Sequence, residues 1–339
     1  MKMFRVVAGV AAMILPILGG AAWAQEFNLR VADSFPTTHQ YSKNTQEWLD
    51  LITERTDGRI TFDYFPAEQL AKSADLLDAA QNGLADMVYA PPLYLSDRLP
   101  LSTVTALPLV GNVTDQLALN QAFQSLALNE LNEAEILPLG VRAVRGLVTA
   151  PYQIMSRKGK IETLDQMSGV KLRSSGGVQE TSVDNLGAVP VAIPAPDLYP
   201  ALQRGTIDGT LFNLPTAAGY KLQEQLEYST DNINLGLFPV LYVMNEDVWQ
   251  TLPEDIRTVM IDTAMEVLPT VLEADKKGME DFRVGLEANG GGLYQIGDEQ
   301  LALWNERLLP VREEWIQRLE AQGKPARTII DRWTELVTE

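Results

Sequence analysis

One histidine, His39, and no cysteine leave this sequence little from which to build a catalytic centre. General acid-base chemistry needs a group that titrates near neutrality, and nucleophilic chemistry needs a nucleophile beside a base, but no Gly-x-Ser-x-Gly elbow or partner set for His39 is present. No His cluster offers zinc or iron ligands and no Asp-x-Asp-x-Asp-Gly loop offers calcium ligands, so no metal and no other cofactor is expected. Acidic pairs such as Glu313-Glu314 are unavoidable among 45 acids and read as a solvated helix face. The runs Ser174-Ser175-Gly176-Gly177 and Gly290-Gly291-Gly292 match neither a P-loop nor a dinucleotide fingerprint. The expectation is a binding protein and not an enzyme.

The segment Gly169 to Gly177 is the most suggestive one for binding. It places Lys171 and Arg173 in alternation on one side of a strand, Val170 and Leu172 on the other, and then turns. Ligands of α/β sheets gather at the carboxyl ends of strands. Arg173 is the better anion ligand of the two, because a planar guanidinium grips a carboxylate through two parallel hydrogen bonds and stays protonated. On spacing alone, a surface ion pair with one of the many acids is the better account of Arg173.

The elements that would position it follow from periodicity. Phe27, Leu29 and Val31 alternate as a strand, as do Ile60, Phe62 and Tyr64, and between them Thr45, Trp48, Leu49 and Ile52 form a helix face that Gly58 closes. A helix over Ala74–Asn82, a strand over Asp86–Ala90, a helix face at Leu119 to Ala127 and a short strand over Ile136–Gly140 follow. This order indicates a parallel α/β sheet. A second α/β unit starts near Tyr152, with strands at Tyr152–Met155, Val170–Arg173, Val189–Ile193 and Ile207–Phe212, and a helix over Asp197–Arg204. The apolar strand Leu237–Met244 is long enough to cross between the units. Thr251-Leu252-Pro253-Glu254 reads as a capping box opening a helix that runs past Lys277. A last helix begins near Asp298, with Pro310 predicting a kink and Gly323 an end.

Lys2 and Arg5, the apolar run Val6–Leu18 and Ala22-Trp23-Ala24 read as an export leader over 1–24, cut near Ala24, which puts the protein in the periplasm. Pro16 and Gly19-Gly20 interrupt that run short of the roughly 18 residues a membrane span requires. The remaining chain of about 315 residues is long enough for two cores. Without the leader, 25 basic side chains face 45 acidic ones, so nucleic acid and anionic lipid are excluded as partners. Any anion must be held by a local, desolvated cation.

Three stretches now resemble one family, the solute receptors of tripartite ATP-independent periplasmic (TRAP) transporters, of the dicarboxylate-receptor type. They are Asp165-Gln166-Met167-Ser168-Gly169-Val170-Lys171-Leu172-Arg173, Leu186-Gly187-Ala188-Val189-Pro190, and Tyr199-Pro200-Ala201-Leu202-Gln203-Arg204-Gly205-Thr206-Ile207-Asp208-Gly209. Gly58-Arg59-Ile60, Gly83-Leu84-Ala85-Asp86-Met87 and Trp249-Gln250-Thr251-Leu252-Pro253-Glu254 agree. The resemblance implies two α/β domains, 25–147 with 237–280 and 148–236 with 281–339, joined by crossing strands and a long helix and closing like a jaw. It implies a monomer that binds a small organic acid through Arg173 and delivers it to the integral membrane subunits of a TRAP transporter. The receptor of an ATP-driven importer shares the jaw but lacks these motifs.

Two departures from the family pattern bear on the site. Where many members read Asp-Gly-Gln-Glu-Asn-Pro, this chain has Asp208-Gly209-Thr210-Leu211-Phe212-Asn213, which replaces or shifts an amide that often contacts ligand and turns Phe212 toward the pocket. Leu70-Ala71-Lys72-Ser73 removes another polar group, suggesting a more apolar pocket. Arg142 or Arg145 stands where the family often has a second Arg. By the resemblance His39 lies at the cleft lip, with a surface or helix-start position as the alternative. Tyr89 and Tyr94, flanking Pro91-Pro92, either wall the pocket or pack.

Overall fold

The structure, a computed structural model, describes residues 26–110 and 115–338; the leader expected at 1–24 lies outside them. In chain order the first elements are β1 (Phe27–Ala32), α1 (Gln40–Arg55), β2 (Ile60–Phe65), α2 (Leu76–Gln81), β3 (Met87–Tyr89), α3 (Gln116–Leu126) and β4 (Val141–Ser156). Next come β5 (Lys171–Ser174), α4 (Val178–Asn185), β6 (Val189–Ala192), α5 (Leu198–Arg204), β7 (Gly209–Asn213), α6 (Leu214–Ala217), β8 (Tyr228–Thr230) and β9 (Leu237–Asn245). The chain ends with α7 (Glu246–Thr251), α8 (Glu254–Glu266), α9 (Leu268–Ala288), β10 (Gly292–Tyr294), α10 (Asp298–Glu320) and α11 (Ala326–Leu336).

The fold is a two-lobed α/β architecture in which the strand order runs β2-β1-β3-β9-β4-β7-β5-β6. Each lobe has its own parallel set, β1 with β2 and β3 in one, β5 with β6 and β7 in the other. The long strands β4 and β9 run antiparallel between them. The early part of β4 pairs with β9, whereas Tyr152 to Ser156 pair with β7. The register slips between Val148 and Pro151, where Pro151 has no N–H for the ladder, and the strand passes from one lobe to the other there.

Helix α1 forms because Trp48, Leu49 and Ile52 recur on one buried face. Burying each such large side chain contributes about 1.5 to 3 kcal/mol. Helix α9 lies along both lobes, against α1 on one side and α6 with Ala218–Tyr220 on the other. Gly278 permits this, since a Cβ there would meet the Pro215 carbonyl oxygen at 2.1 Å. Three tryptophans, Trp304, Trp315 and Trp333, anchor the last helices. The Trp315 Nε1–H donates to Thr103 Oγ1 at 3.1 Å and Trp333 meets Phe123 edge-on, so α11 packs on α3, which lies in the first stretch of chain.

The sequence-based expectations differ from this structure in four places. The sheet is mixed, because both crossing strands run against their neighbours. Ile136–Gly140 is not a strand: a π-helix over Ala127–Ile136 continues into a 3-10 turn at Leu137–Leu139, where Pro138 cannot serve a ladder and Gly140 adopts φ 75°. The strand expected at Tyr152–Met155 begins at Val141, its Thr149-Ala150-Pro151 interruption being the bulge. No capping box forms at Thr251, whose hydroxyl bonds the Val248 carbonyl, and the following helix is divided at Val267 ahead of Pro269.

Candidate ligand-binding site

The carboxyl ends of β1, β3, β5, β6 and β7 converge where the two lobes meet. Just past β1 stand Ser34 and Phe35, and just past β3 the turn Pro91-Pro92 carries Tyr94. Tyr41 comes from α1, Tyr152 from β4, Phe212 and Asn213 from the end of β7, and Phe238 and Val240 from β9. These residues, with His39, Tyr89, Thr149, Ala195, Thr216 and Tyr220, line one narrow cavity. Its volume is about 30 Å³. A water needs about 10 to 15 Å³ by that measure, so the cavity as it stands is too small for an organic acid.

Arg173 lies one layer behind this lining and is fully buried. Its Nε donates to the Ile193 carbonyl at 2.7 Å and its Nη1 to the Leu211 carbonyl at 3.1 Å, which fixes the guanidinium between β6 and β7. Nη2 reaches the Tyr94 hydroxyl at 3.4 Å, a long contact from the other lobe. The Phe212 ring stands 5.5 Å from the guanidinium carbon. Every hydrogen-bond partner of Arg173 among the described residues is neutral. Lys171, on the same side of β5, is exposed, so strand alternation finds the face while burial falls only on its carboxyl end.

Tyr94 bridges the lobes, because its hydroxyl also accepts the Ala195 N–H at 2.9 Å. Burial pushes the Tyr152 phenol above its ordinary range, and the nearby Arg173 and Ser175 pull against that shift. His39 is the N-cap of α1 and is fully buried, its Nδ1 accepting the Tyr41 N–H at 3.2 Å. Burial, helped by Lys43, lowers its pKa to about 3, so the ring is neutral. Asn213 caps α6, its Oδ1 accepting both the N–H and the hydroxyl of Thr216.

Of the residues singled out from sequence, Phe212, Asn213, His39, Tyr89 and Tyr94 line the cavity and Arg173 backs it. His39 is buried and lines the cavity, and it also stands at a helix start as the N-cap of α1, so only the surface position is not taken. Arg145 lies away from the lining, over the face of Trp48 at 5.0 Å, donating to Asn44 Oδ1. Arg142 is elsewhere again, held in a two-point ion pair by Glu246 at 2.7 and 2.8 Å. Neither occupies a cavity position: Arg142 already has its carboxylate, and Arg145 is turned into the packing of α1. Residues 70–73 lie outside the lining as well, with Lys72 on Glu68, so their composition does not set the pocket's polarity. Phe35, Tyr41, Tyr152, Tyr220 and Phe238 were missed because their sequence surroundings do not distinguish an aromatic ring that faces a cleft from one that packs in the core.

Among the described residues no three His, Cys, Asp or Glu side chains converge to hold a metal, and no helix is long and apolar enough to cross a membrane. The family described as bacterial extracellular solute-binding protein, family 7, matches residues 31–318. The chain belongs to this family. Among its relatives, the C4-dicarboxylate-binding periplasmic protein DctP of Rhodobacter capsulatus is 26% identical over 287 residues, covering 83% of this chain and 84% of that one. Similar solved structures include a TRAP solute binding protein from Rhodoferax ferrireducens in complex with copurified benzoate, with TM-score 0.80, 23% identity and 92% and 97% of the two chains covered. Another is a TRAP periplasmic solute binding protein from Bordetella bronchiseptica with bound (R)- and (S)-mandelate, with TM-score 0.80, 21% identity and 92% and 98% covered. The chain is thus a solute-binding protein of this family, and its fold is that of the two-domain TRAP solute binding proteins.

Proposed function

We propose that this receptor captures a small aromatic monocarboxylate in the periplasm through Arg173 and hands it, unchanged, to the membrane subunits of a TRAP transporter. The observation that carries this reading is a fully buried guanidinium with neutral partners behind a cavity walled by eight aromatic rings. A buried cation is costly unless an anion balances it, and a ligand carboxylate supplies that balance. Of these three Arg173 hydrogen bonds, the one to Tyr94 is the longest. A carboxylate replaces that contact at little cost, and the Tyr94 hydroxyl, already accepting two hydrogen bonds, has its own proton to donate.

The apolar walls then favour a flat ring over a second charge, since among the described residues no Lys or Arg lines the cavity and the His39 ring there is neutral. Benzoate and mandelate in the structural relatives are of this class. The bulge at Val148–Pro151 and the glycine before β9, Gly236 with φ 86°, support hinges at the expected boundaries 147/148 and 236/237. Closure about them brings Tyr94 over the carboxylate held by Arg173 and excludes water, which strengthens the ion pair.

Calorimetric titration with benzoate tests the reading. Losing one partner of a desolvated charge pair costs about 2 to 5 kcal/mol, so Arg173→Ala should weaken benzoate about 30-fold to several thousand-fold. Circular dichroism should show the variant folded. Equal affinity in both proteins removes Arg173 from the site.

A further inference from the structure

The cavity has two poles. Tyr94, Phe212 and Tyr152 surround Arg173, and Phe238 completes this group, 5.6 Å from Tyr94 and 6.1 Å from Tyr152. Phe35, Tyr41 and Tyr220 surround His39 at 5.1, 5.8 and 4.9 Å, and Tyr89 stacks on Phe35. Among the described ring contacts, Phe212 with Tyr220 at 5.7 Å alone joins the two groups. A solute whose carboxylate meets Arg173 therefore presents its far side to His39.

His39 has a hydrogen bond to give there. Because Nδ1 accepts from the Tyr41 N–H, the neutral ring carries its proton on Nε2. That Nε2 is buried and has no hydrogen-bond partner among the described residues. Buried donors without acceptors are uncommon in native structures, and each calls for an explanation. Gly219, across the cleft, leaves the imidazole edge free: a Cβ there would lie 3.1 Å from Nε2 and 2.5 Å from Cδ2. Its backbone is not in the left-handed region, so proximity to His39, and not φ, makes a side chain unwelcome at this position.

We propose that the His39 Nε2–H is the second polar anchor of the site, donating to an oxygen on the side of the ring remote from the carboxylate. The preferred solutes are then aromatic monocarboxylates bearing a hydroxyl, keto or ether oxygen, and unsubstituted rings bind less well because they leave this donor unmet. The inference rests on the carboxylate reading above and deepens it.

The test compares benzoate, 3-hydroxybenzoate and 4-hydroxybenzoate by calorimetry on the whole protein and two variants. His39→Asn keeps an oxygen to cap α1 but holds its amide N–H short of the Nε2 position, whereas His39→Gln sets an amide N–H near that position. The native protein should prefer one hydroxybenzoate over benzoate by about 10-fold, the worth of one hydrogen bond. His39→Asn should erase that preference and His39→Gln should retain part of it. A native protein indifferent among the three acids, or a preference that survives in His39→Asn, overturns the proposal. Should benzoate bind in an Arg173-dependent way without any preference, this inference alone falls. If none of the acids binds, the carboxylate reading falls with it.

Discussion

Two fully buried arginines lie on neighbouring parts of the same sheet system, and their surroundings differ in a way that burial does not reveal. Arg145, on β4, stacks over Trp48, gives one hydrogen bond to Asn44 and leaves Nε and Nη1 without partners. Burial draws its pKa down to about 10, against the pull of Tyr242, Tyr41 and Glu47. Arg173, at the carboxyl end of β5, is locked by two carbonyls and meets a hydroxyl from the opposite lobe through a contact long enough to exchange. On the proposed reading, a buried cation serves to hold an anion when it is rigid on one side and replaceable on the other. One that is merely enclosed is a cost the fold carries.

This contrast can be broken by substitution. Arg173→Ala should give the largest effect, the loss of benzoate binding already described. Arg145→Met should leave binding within about threefold and raise stability by on the order of 1 kcal/mol, because a buried charge without an ionic partner is replaced by an apolar chain of similar length. Urea unfolding and calorimetry on the same variant check both halves, and a collapse of binding in Arg145→Met would place the second cation in the site. Arg142→Gln should do least: its pair with Glu246 is partly exposed, worth about 1 kcal/mol or less, and far from the cavity lining. A drop in affinity in that variant would show that the outer end of β4 is coupled to closure.

Much of this architecture is legible in the residues. The alternation of Phe27, Leu29 and Val31 and the stripe of Trp48, Leu49 and Ile52 gave elements where they stand, since each pattern answers to one local period. Leu237–Met244 showed itself as a crossing strand through its unbroken apolar run. The first half of β4 was not legible, because Thr149-Ala150-Pro151 looks like a break and only pairing with β9 and β7 holds the strand through it. Local signals failed in the same way at Ile136–Gly140, where a short apolar run with Pro138 turned out helical.

The site divides similarly. Arg173 stood out in the sequence as a guanidinium at a strand end within a family motif, and the structure buries it behind the cavity, where its binding role is the proposal made above. Tyr152, Tyr220 and Phe238 escaped because an aromatic residue that faces a cleft carries the same sequence signal as one that faces the core. Only the convergence of β4, β9 and Ala218–Tyr220 around one space separates the two.

The most direct test of the central claim is a crystal structure of the receptor with benzoate bound. The account predicts the carboxylate within hydrogen-bond distance of the Arg173 Nη atoms, the ring among Tyr94, Tyr152, Phe212 and Phe238, and the Ile193 and Leu211 contacts retained. A carboxylate found on Arg145, or benzoate bound outside the space between the lobes with Arg173 still on Tyr94, would contradict it.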